Sequence, residues 1–346
     1  MKYKLLGHSG LRVSELCLGT MTFGLEWGWG SDKEQSREVF NTYANAGGNF
    51  VDTANLYTLG TSEKWLGEFI ADDRDHFILA TKYALKDRDG DPNFAGNHRK
   101  NMMRSVTQSL KRLNTESIDL LWIHAWDFTT SPEEVMRGLD DLITRGLVHY
   151  IGISDTPAWI VSRCNTLAEL RGWNRFAALQ VEYSLLQRTP EADLLPMAKA
   201  LDLAVTPWAP LAGGALTGKY LASGSGEGRV KEISERRNER ALKIAQAVVD
   251  AAKRIGCSPA QLAIQWTRQR DQLVIPIVGA RTATQLQDSL DVVNLIIPEN
   301  ELNLLNELTA NAYGFPHEFL KSDGVRDVLF AGTYPQIDNH HKRDLH

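Results

Sequence analysis

Apolar and polar positions along this chain switch repeatedly between short apolar runs and longer stretches with helical spacing. Tyr3–Leu6 and Leu11–Val13 flank Gly7-His8-Ser9-Gly10, which predicts a small β-hairpin. Glu15–Thr20 predicts a first long-range strand. A helix is expected over Lys33–Ala46, with Val39, Tyr43 and Ala46 on one side and Gly47-Gly48 as its C-cap. It leads into Phe50-Val51-Asp52, a buried strand ending in an acid. A helix over Ser62–Ile70 (Leu66 and Phe69 inward) precedes the strand Phe77–Lys82. Another over Arg99–Leu113, burying Met103, Val106, Leu110 and Leu113, precedes the strand Asp119–His124. A helix over Glu133–Arg145 stops at Gly146.

The second half keeps the rhythm. Tyr150–Ser154, Ala178–Tyr183, Ala204–Pro210 and Leu273–Gly279 are strand-like. Helices are expected over Trp159–Leu170, Glu191–Leu201, Arg240–Ile255 and Pro259–Arg270, the last with Ser258 as N-cap and Pro259 at its first position. Alternation of this kind predicts an α/β fold, a (β/α)8 TIM barrel in one domain. Residues 1–14 would be a capping hairpin, 15–292 the barrel, and 293–346 a C-terminal helix and tail over it. The competing reading, in which two of the short strands are turns of buried helix, would break the strand count.

In a parallel barrel the strand C-termini share one face. Three apolar runs end there in Asp52, Lys82 and His124, with Tyr57 just beyond the first. A free tyrosine titrates near pH ~10, and a nearby ammonium stabilises its phenolate, easing proton donation to a developing alkoxide. The carboxylate would anchor the lysine, and the imidazole could hydrogen-bond a carbonyl oxygen. Such a set supplies an acid and a positive field but no electrons, so it suits carbonyl reduction with an external hydride carrier. Each residue also has a structural alternative: an Asp52–Lys82 ion pair, a core histidine, a loop tyrosine.

The chain of 346 residues has 38 basic and 43 acidic side chains, net −5, which disfavours a nucleic-acid surface. Cys17, Cys164 and Cys257 lack metal-ligand spacing and read as reduced core thiols, and no metal site is expected. No signal core or membrane-length apolar run is visible, so a soluble, cytoplasmic enzyme is expected. No G-x-G-x-x-G opens a helix after a strand, and Walker, H-E-x-x-H and G-x-S-x-G patterns are absent. Gly224-Ser225-Gly226-Glu227-Gly228 reads as a mobile surface loop or as a lid. His340-His341 in the tail suggests no metal site. Trp27, Trp29, Tyr83, Trp126 and Phe128 lie just past strand ends and are candidates for an aromatic substrate wall, with Tyr313, Phe315, His317 and Phe319 folding over the same face.

The ordered segments Gly19-Thr20-Met21-Thr22-Phe23-Gly24, Asp52–Tyr57 with Gly60-Thr61-Ser62-Glu63, Thr81-Lys82 and Leu120–His124 resemble the aldo-keto reductases. So do Gly146 with Tyr150–Ser154, Gln180 with Tyr183–Leu186, Pro210–Lys219 and Ile275–Arg281, and the likeness runs from Leu5 to about Leu290. The resemblance implies a barrel reductase that binds NADPH, or less often NADH, without a Rossmann domain. It implies Tyr57 as general acid, Lys82 as the group tuning its pKa, Asp52 as anchor and His124 as the group orienting the carbonyl. Ser154 and Gln180 would hold the nicotinamide carboxamide, with Thr20 and Met21 nearby and the Trp208 ring stacked on the nicotinamide. Ala209, Pro210, Leu211, Gly213 and Lys219 would follow the pyrophosphate, and Gly279, Arg281, Gln285 and Asp288 the adenosine end. Arg281 at a helix start suits a 2′-phosphate. Three positions depart from the family pattern: Asp155 replaces an asparagine, Ser289 replaces an asparagine, and Trp208 replaces a tyrosine. The expected partner is a small carbonyl or alcohol substrate, with no nucleic acid, no membrane and no stated oligomer. Two rival readings are a cofactor-binding module like the potassium-channel beta subunits and a Schiff-base aldolase using Lys82.

Overall fold

The computed structural model describes residues 1–221, 235–270 and 273–338. The glycine-rich stretch 224–228 and His340-His341 lie outside the described residues. Strands β1 (Tyr3–Leu5) and β2 (Arg12–Ser14) form the antiparallel hairpin expected from the sequence, pairing Tyr3 with Ser14. Its Leu6 and Val13 are fully buried and join the cluster of Phe50, Leu120 and Trp122 inside the barrel.

Eight parallel strands make the barrel. They are β3 (Cys17–Gly19), β4 (Phe50–Asp52), β5 (Ile78–Tyr83), β6 (Ile118–Ile123), β7 (Val148–Ser154), β8 (Ala178–Glu182), β9 (Ala204–Trp208) and β10 (Ile277–Val278), ordered β10-β3-β4-β5-β6-β7-β8-β9. The register sets Asp52 beside Gly19 and Ala80, Lys82 beside Trp122, and Ser154 beside Gln180. The last gap closes through one bridge, where Val205 N–H donates to the Leu273 carbonyl and Ile275 N–H to the Val205 carbonyl. Against the expected strand over Leu273–Gly279, β10 is only two residues long. Pro276 stands between bridge and strand and has no N–H for a ladder bond. The interior is filled by large side chains at close quarters. A Cβ on Gly152 would come within 2.4 Å of the Trp122 ring, so only glycine there lets that indole fill the barrel.

Helices α1 (Lys33–Asn45), α2 (Thr61–Ile70), α3 (Arg99–Leu113), α4 (Pro132–Thr144), α5 (Ala158–Arg171), α6 (Leu194–Ala200), α7 (Glu239–Ile255), α8 (Pro259–Arg270) and α9 (Ala283–Leu290) surround the strands. Side-chain caps from Asp32, Ser131, Asn238 and Thr282 open α1, α4, α7 and α9. Ser258 accepts from the Gln261 N–H at 3.1 Å, as expected of an N-cap. Helix α3 has the expected bounds but a rotated face: Met102, Ser105, Val106, Ser109 and Leu113 are buried, while Met103 and Leu110 are only partly so. Asn101 accounts for part of the turn, because its side chain is held inward by the Gly96 carbonyl. Helix α6 is shorter than the expected Glu191–Leu201, because Glu191 ends a separate turn and its carboxylate is taken by Tyr183 and Arg188.

After the barrel come α10 (Glu299–Leu308), α11 (His317–Lys321) and α12 (Asp323–Leu329). Arg254 of α7 grips Glu301 of α10 through two bonds of 2.8 Å. Tyr313 donates to Glu191 at 2.8 Å. Phe315 and Phe319, in contrast to the expected wall, are 84% and 54% exposed and face each other.

Candidate active site

Asp52 ends β4 and is 2% exposed, while Lys82 near the end of β5 is fully buried. A charge removed from water needs a partner close by. The Lys82 ammonium donates to Asp52 Oδ2, to the Thr53 carbonyl at 3.0 Å and to the Tyr57 hydroxyl at 3.2 Å. Its three donors are therefore all used. Asp52 is held in turn: Thr20 Oγ1 donates to its carbonyl at 3.0 Å, and Gln180 Nε2 to its Oδ1 at 3.1 Å. Thr20, expected at the cofactor, therefore supports the Asp52 backbone, and half-buried Met21 follows it.

Tyr57 opens a one-turn helix, Tyr57–Gly60, in which Thr58 and Leu59 take left-handed backbone (φ 46° and 55°). Non-glycine residues there are strained, and the strain is held locally. The Thr58 hydroxyl is buried, donating to the Phe23 carbonyl at 2.6 Å and accepting from the Ser62 N–H at 3.2 Å. This turn aims the phenol back over Lys82. His124 follows β6, its N–H donating to the Tyr83 carbonyl at 2.9 Å, and its ring meets Tyr57 edge-on at 5.9 Å. The four strand-end residues are thus one cluster.

Burial pushes the Tyr57 phenol above its usual value, and Lys82 pulls it back only in part. The expected lowering by the ammonium is present, but desolvation outweighs it and the phenol stays protonated. Burial works against the Lys82 ammonium, yet Asp52 and Tyr57 more than offset it, and the lysine is held charged. Burial, then the Lys82 charge, lowers His124 to about 3, so its imidazole is neutral near pH 7.

Among the described residues, two buried side-chain atoms of the site have no hydrogen-bond partner: Ser154 Oγ, at the end of β7, and His124 Nδ1. Ser154, Gln180 on β8 and Trp208 at the end of β9 stand in successive positions round the mouth. Beyond Trp208, left-handed backbone recurs at Ala209, Ala212, Gly213, Gly214 and Gly218, so the chain winds tightly through Pro210, Leu211 and Gly213 to exposed Lys219. Gly279 and Arg281 are exposed at the far edge, just before α9. There Gln285 is folded back to accept from the Arg281 N–H at 3.1 Å. Asp288 is turned toward α8, accepting from Ser258 at 2.9 Å and Gln261 at 3.0 Å. These two residues secure the α9 start and the α8–α9 contact. Ser289 is buried and donates to the Gln285 carbonyl at 3.2 Å.

Of the aromatic candidates, Trp27 lies edge-on to Tyr57 at 6.2 Å and Trp29 lies 5.6 Å from Trp27. Tyr83 does not line the mouth. It is 1% exposed in the layer between strands and helices, donating to the Asn97 carbonyl at 3.3 Å. Successive strand residues face opposite ways, so with Lys82 inward Tyr83 points outward. Trp126 is 8% exposed in that same layer, and Phe128 is 67% exposed. A support missed in the sequence is the clasp between Asn97 and Asp127. Asn97 N–H donates to Asp127 Oδ2 and Asp127 N–H to Asn97 Oδ1, each at 2.7 Å, and Asn97 Nδ2 donates to the Ala125 carbonyl beside His124. The local signal was Asp127 followed by Thr129 and Thr130, whose N–H groups it caps.

The profile of the Aldo/keto reductase family matches residues 15–310. The chain belongs to that family. Norsolorinic acid reductase of Aspergillus flavus is 36% identical over 322 residues, covering 90% of this chain and 82% of that protein. Aryl-alcohol dehydrogenase [NADP(+)] of Phanerodontia chrysosporium is 36% identical over 336 residues, covering 91% and 87%. A putative aryl-alcohol dehydrogenase of Saccharomyces cerevisiae is 34% identical over 331 residues, covering 91% and 88%. Membership makes this aldo/keto reductase a carbonyl oxidoreductase of the nicotinamide-using class. No helix among the described residues is long and apolar enough to cross a membrane.

Proposed function

We propose that this chain is an NADPH-dependent reductase of aromatic aldehydes or ketones, and in the reverse direction an alcohol dehydrogenase, with Tyr57 as general acid. The observation that carries this reading is the direction of the Lys82–Tyr57 bond. Lys82 donates to the phenol oxygen, so the phenol keeps its own O–H to give away. As the proton leaves, phenolate forms 3.2 Å from a fixed, fully buried ammonium, where the attraction is screened less than in water. Asp52 and the Thr53 carbonyl hold that ammonium so it does not follow the proton. Neutral His124 is a hydrogen-bond donor that adds no second positive charge beside Lys82.

A bound nicotinamide cofactor supplies the hydride. The residues fit such a group. Ser154 Oγ is a buried hydroxyl in need of a partner, Gln180 retains its carbonyl oxygen beyond the bond to Asp52, and Trp208 offers a ring. Exposed Arg281 before α9 suits a 2′-phosphate and favours NADPH over NADH. The Phanerodontia relative, an NADP(+) aryl-alcohol dehydrogenase, points the same way. Trp27 and Trp29 beside Tyr57 favour a ring-bearing substrate.

The test is oxidation of NADPH and NADH, followed with a panel of aromatic and aliphatic aldehydes and ketones. Faster turnover of aromatic members with NADPH is expected. Tight cofactor binding with no turnover on any carbonyl would overturn the reading and favour a cofactor-binding module.

A further inference from the structure

The motif Gly60-Thr61-Ser62-Glu63 has no place among the reacting groups, yet Ser62 and Glu63 are completely buried. It joins the turn Tyr57–Gly60 to α2, which begins at Thr61. No side chain caps α2, and Ser62 and Glu63 are turned inward to the strand ends instead. Glu63 Oε1 accepts from the Thr81 hydroxyl at 2.6 Å, and Oε2 accepts from Arg112 Nε of α3 at 2.5 Å. Thr81 directly precedes Lys82 on β5, facing out of the barrel where Lys82 faces in. Ser62 Oγ donates to the Thr20 carbonyl at 2.8 Å. It also lies 2.8 Å from the Thr20 hydroxyl and 2.9 Å from the Thr53 hydroxyl. Thr53 follows Asp52, and its carbonyl is one of the acceptors of Lys82. On the other side, the Ser62 N–H holds the Thr58 hydroxyl inside the strained turn. Gly60 closes the arrangement, because its φ is 90° and a Cβ there would come within 2.8 Å of Arg112 Cδ.

We propose that Ser62 and Glu63 are positioning residues that lock the Tyr57 turn to the strand ends bearing Asp52 and Lys82, and so fix the spacing between phenol and ammonium. This role rests on the reading of Tyr57 as general acid and deepens it. Tyr57 lies in a connecting turn and Lys82 in a strand, so their 3.2 Å bond has to be maintained between two separate segments. Glu63 ties the residue beside Lys82 to the helix that follows Tyr57, and Ser62 ties the same helix to the residue beside Asp52. The left-handed pair Thr58–Leu59 persists only while its surroundings hold it, and the Ser62 N–H is part of that hold. A buried ion pair such as Glu63–Arg112 often adds no more to stability than apolar packing of the same volume, since each charge loses its hydration. Its directional bonds supply what apolar packing lacks, a defined register between α2, α3 and β5. The pull of an ammonium on a forming phenolate depends on distance, and a small misplacement is costly in rate.

Single-turnover hydride transfer from NADPH to an aromatic aldehyde, with NADPH Kd alongside, is measured for wild type, Thr81→Val, Thr81→Ser and Ser62→Ala, each also combined with Tyr57→Phe. Thr81→Val keeps the shape but withdraws the hydroxyl from Glu63, and is expected to slow transfer by about tenfold with Kd nearly unchanged. Thr81→Ser returns the hydroxyl and is expected to restore most of the rate. Residues that act through the Tyr57–Lys82 pair must couple to it, so in the Tyr57→Phe background Thr81→Val should cost less than about twofold. Ser62→Ala withdraws a different hydroxyl and should couple in the same way, and its cycle decides the matter if Thr81→Val fails to bind NADPH. Losses of equal size in both backgrounds, in either cycle, would mean general loosening of the fold and overturn the proposal. A Thr81→Val rate equal to wild type, or a Thr81→Ser rate no better than Thr81→Val, would overturn it too. Wild type that transfers hydride to no carbonyl, or Tyr57→Phe as fast as wild type, would instead sink the underlying reading of Tyr57 as the acid of a reductase, which is a different result.

Discussion

His124 shows how one residue's surroundings choose its chemistry. An imidazole ordinarily titrates near pH ~6.5, but here burial and the Lys82 charge hold it down to about 3. The native state therefore binds fewer protons at this residue than the unfolded chain does between those two values. Its contribution to stability is complete above the unfolded pKa and is lost as pH falls toward about 3. Nitrogen-15 NMR of His124 should show a neutral ring with no titration down to pH ~4.5. A midpoint near pH ~6.5 would mean the imidazole is hydrated and free to charge. Asp155 makes the complementary case. From sequence it is a lost amide donor; only the 3.0 Å bond to Trp208 gives it a positive role.

At the scale of elements, strand ends were the legible part. Asp52, Lys82 and His124 each terminate an apolar run, and parallel strands must bring such ends to one face. Tyr57 was legible by spacing, but the left-handed pair Thr58–Leu59 that turns it back over Lys82 has no glycine to announce it. Side-chain direction was harder. Tyr83 was expected at the mouth although strand alternation beside Lys82 sends it outward. Helix α3 was rotated because Asn101, Ser105 and Ser109 are buried, and periodicity scores only apolar residues. Gln285 and Asp288 look like adenosine contacts in sequence, yet helix capping and the α8 contact engage them. That leaves Arg281 as the charged group at the α9 start. Arg281→Ala should weaken NADPH by about tenfold or more and NADH much less, read as Kd by cofactor fluorescence quenching. Equal losses would remove the arginine from 2′-phosphate recognition.

Across the whole molecule, the barrel stiffens the site from several directions. The lysine ammonium, 82 residues into the chain, is fixed by groups from β4, by Gln180 acting through Asp52 from β8, and by a close-packed interior around Trp122. Preorganised charge of this kind needs no rearrangement when a proton moves. In the described part of the C-terminal segment past Tyr313, most large apolar side chains, Phe315, Phe319, Leu320, Val328 and Leu329 among them, are exposed. The central claim is that Tyr57 is the proton donor on this scaffold. It is tested most directly by measuring turnover and NADPH Kd for wild type and Tyr57→Phe in parallel. Loss of the hydroxyl should leave Kd within a few-fold and lower kcat by about 10²–10⁴. A Tyr57→Phe protein that binds NADPH normally and turns over at near wild-type rate would contradict the account.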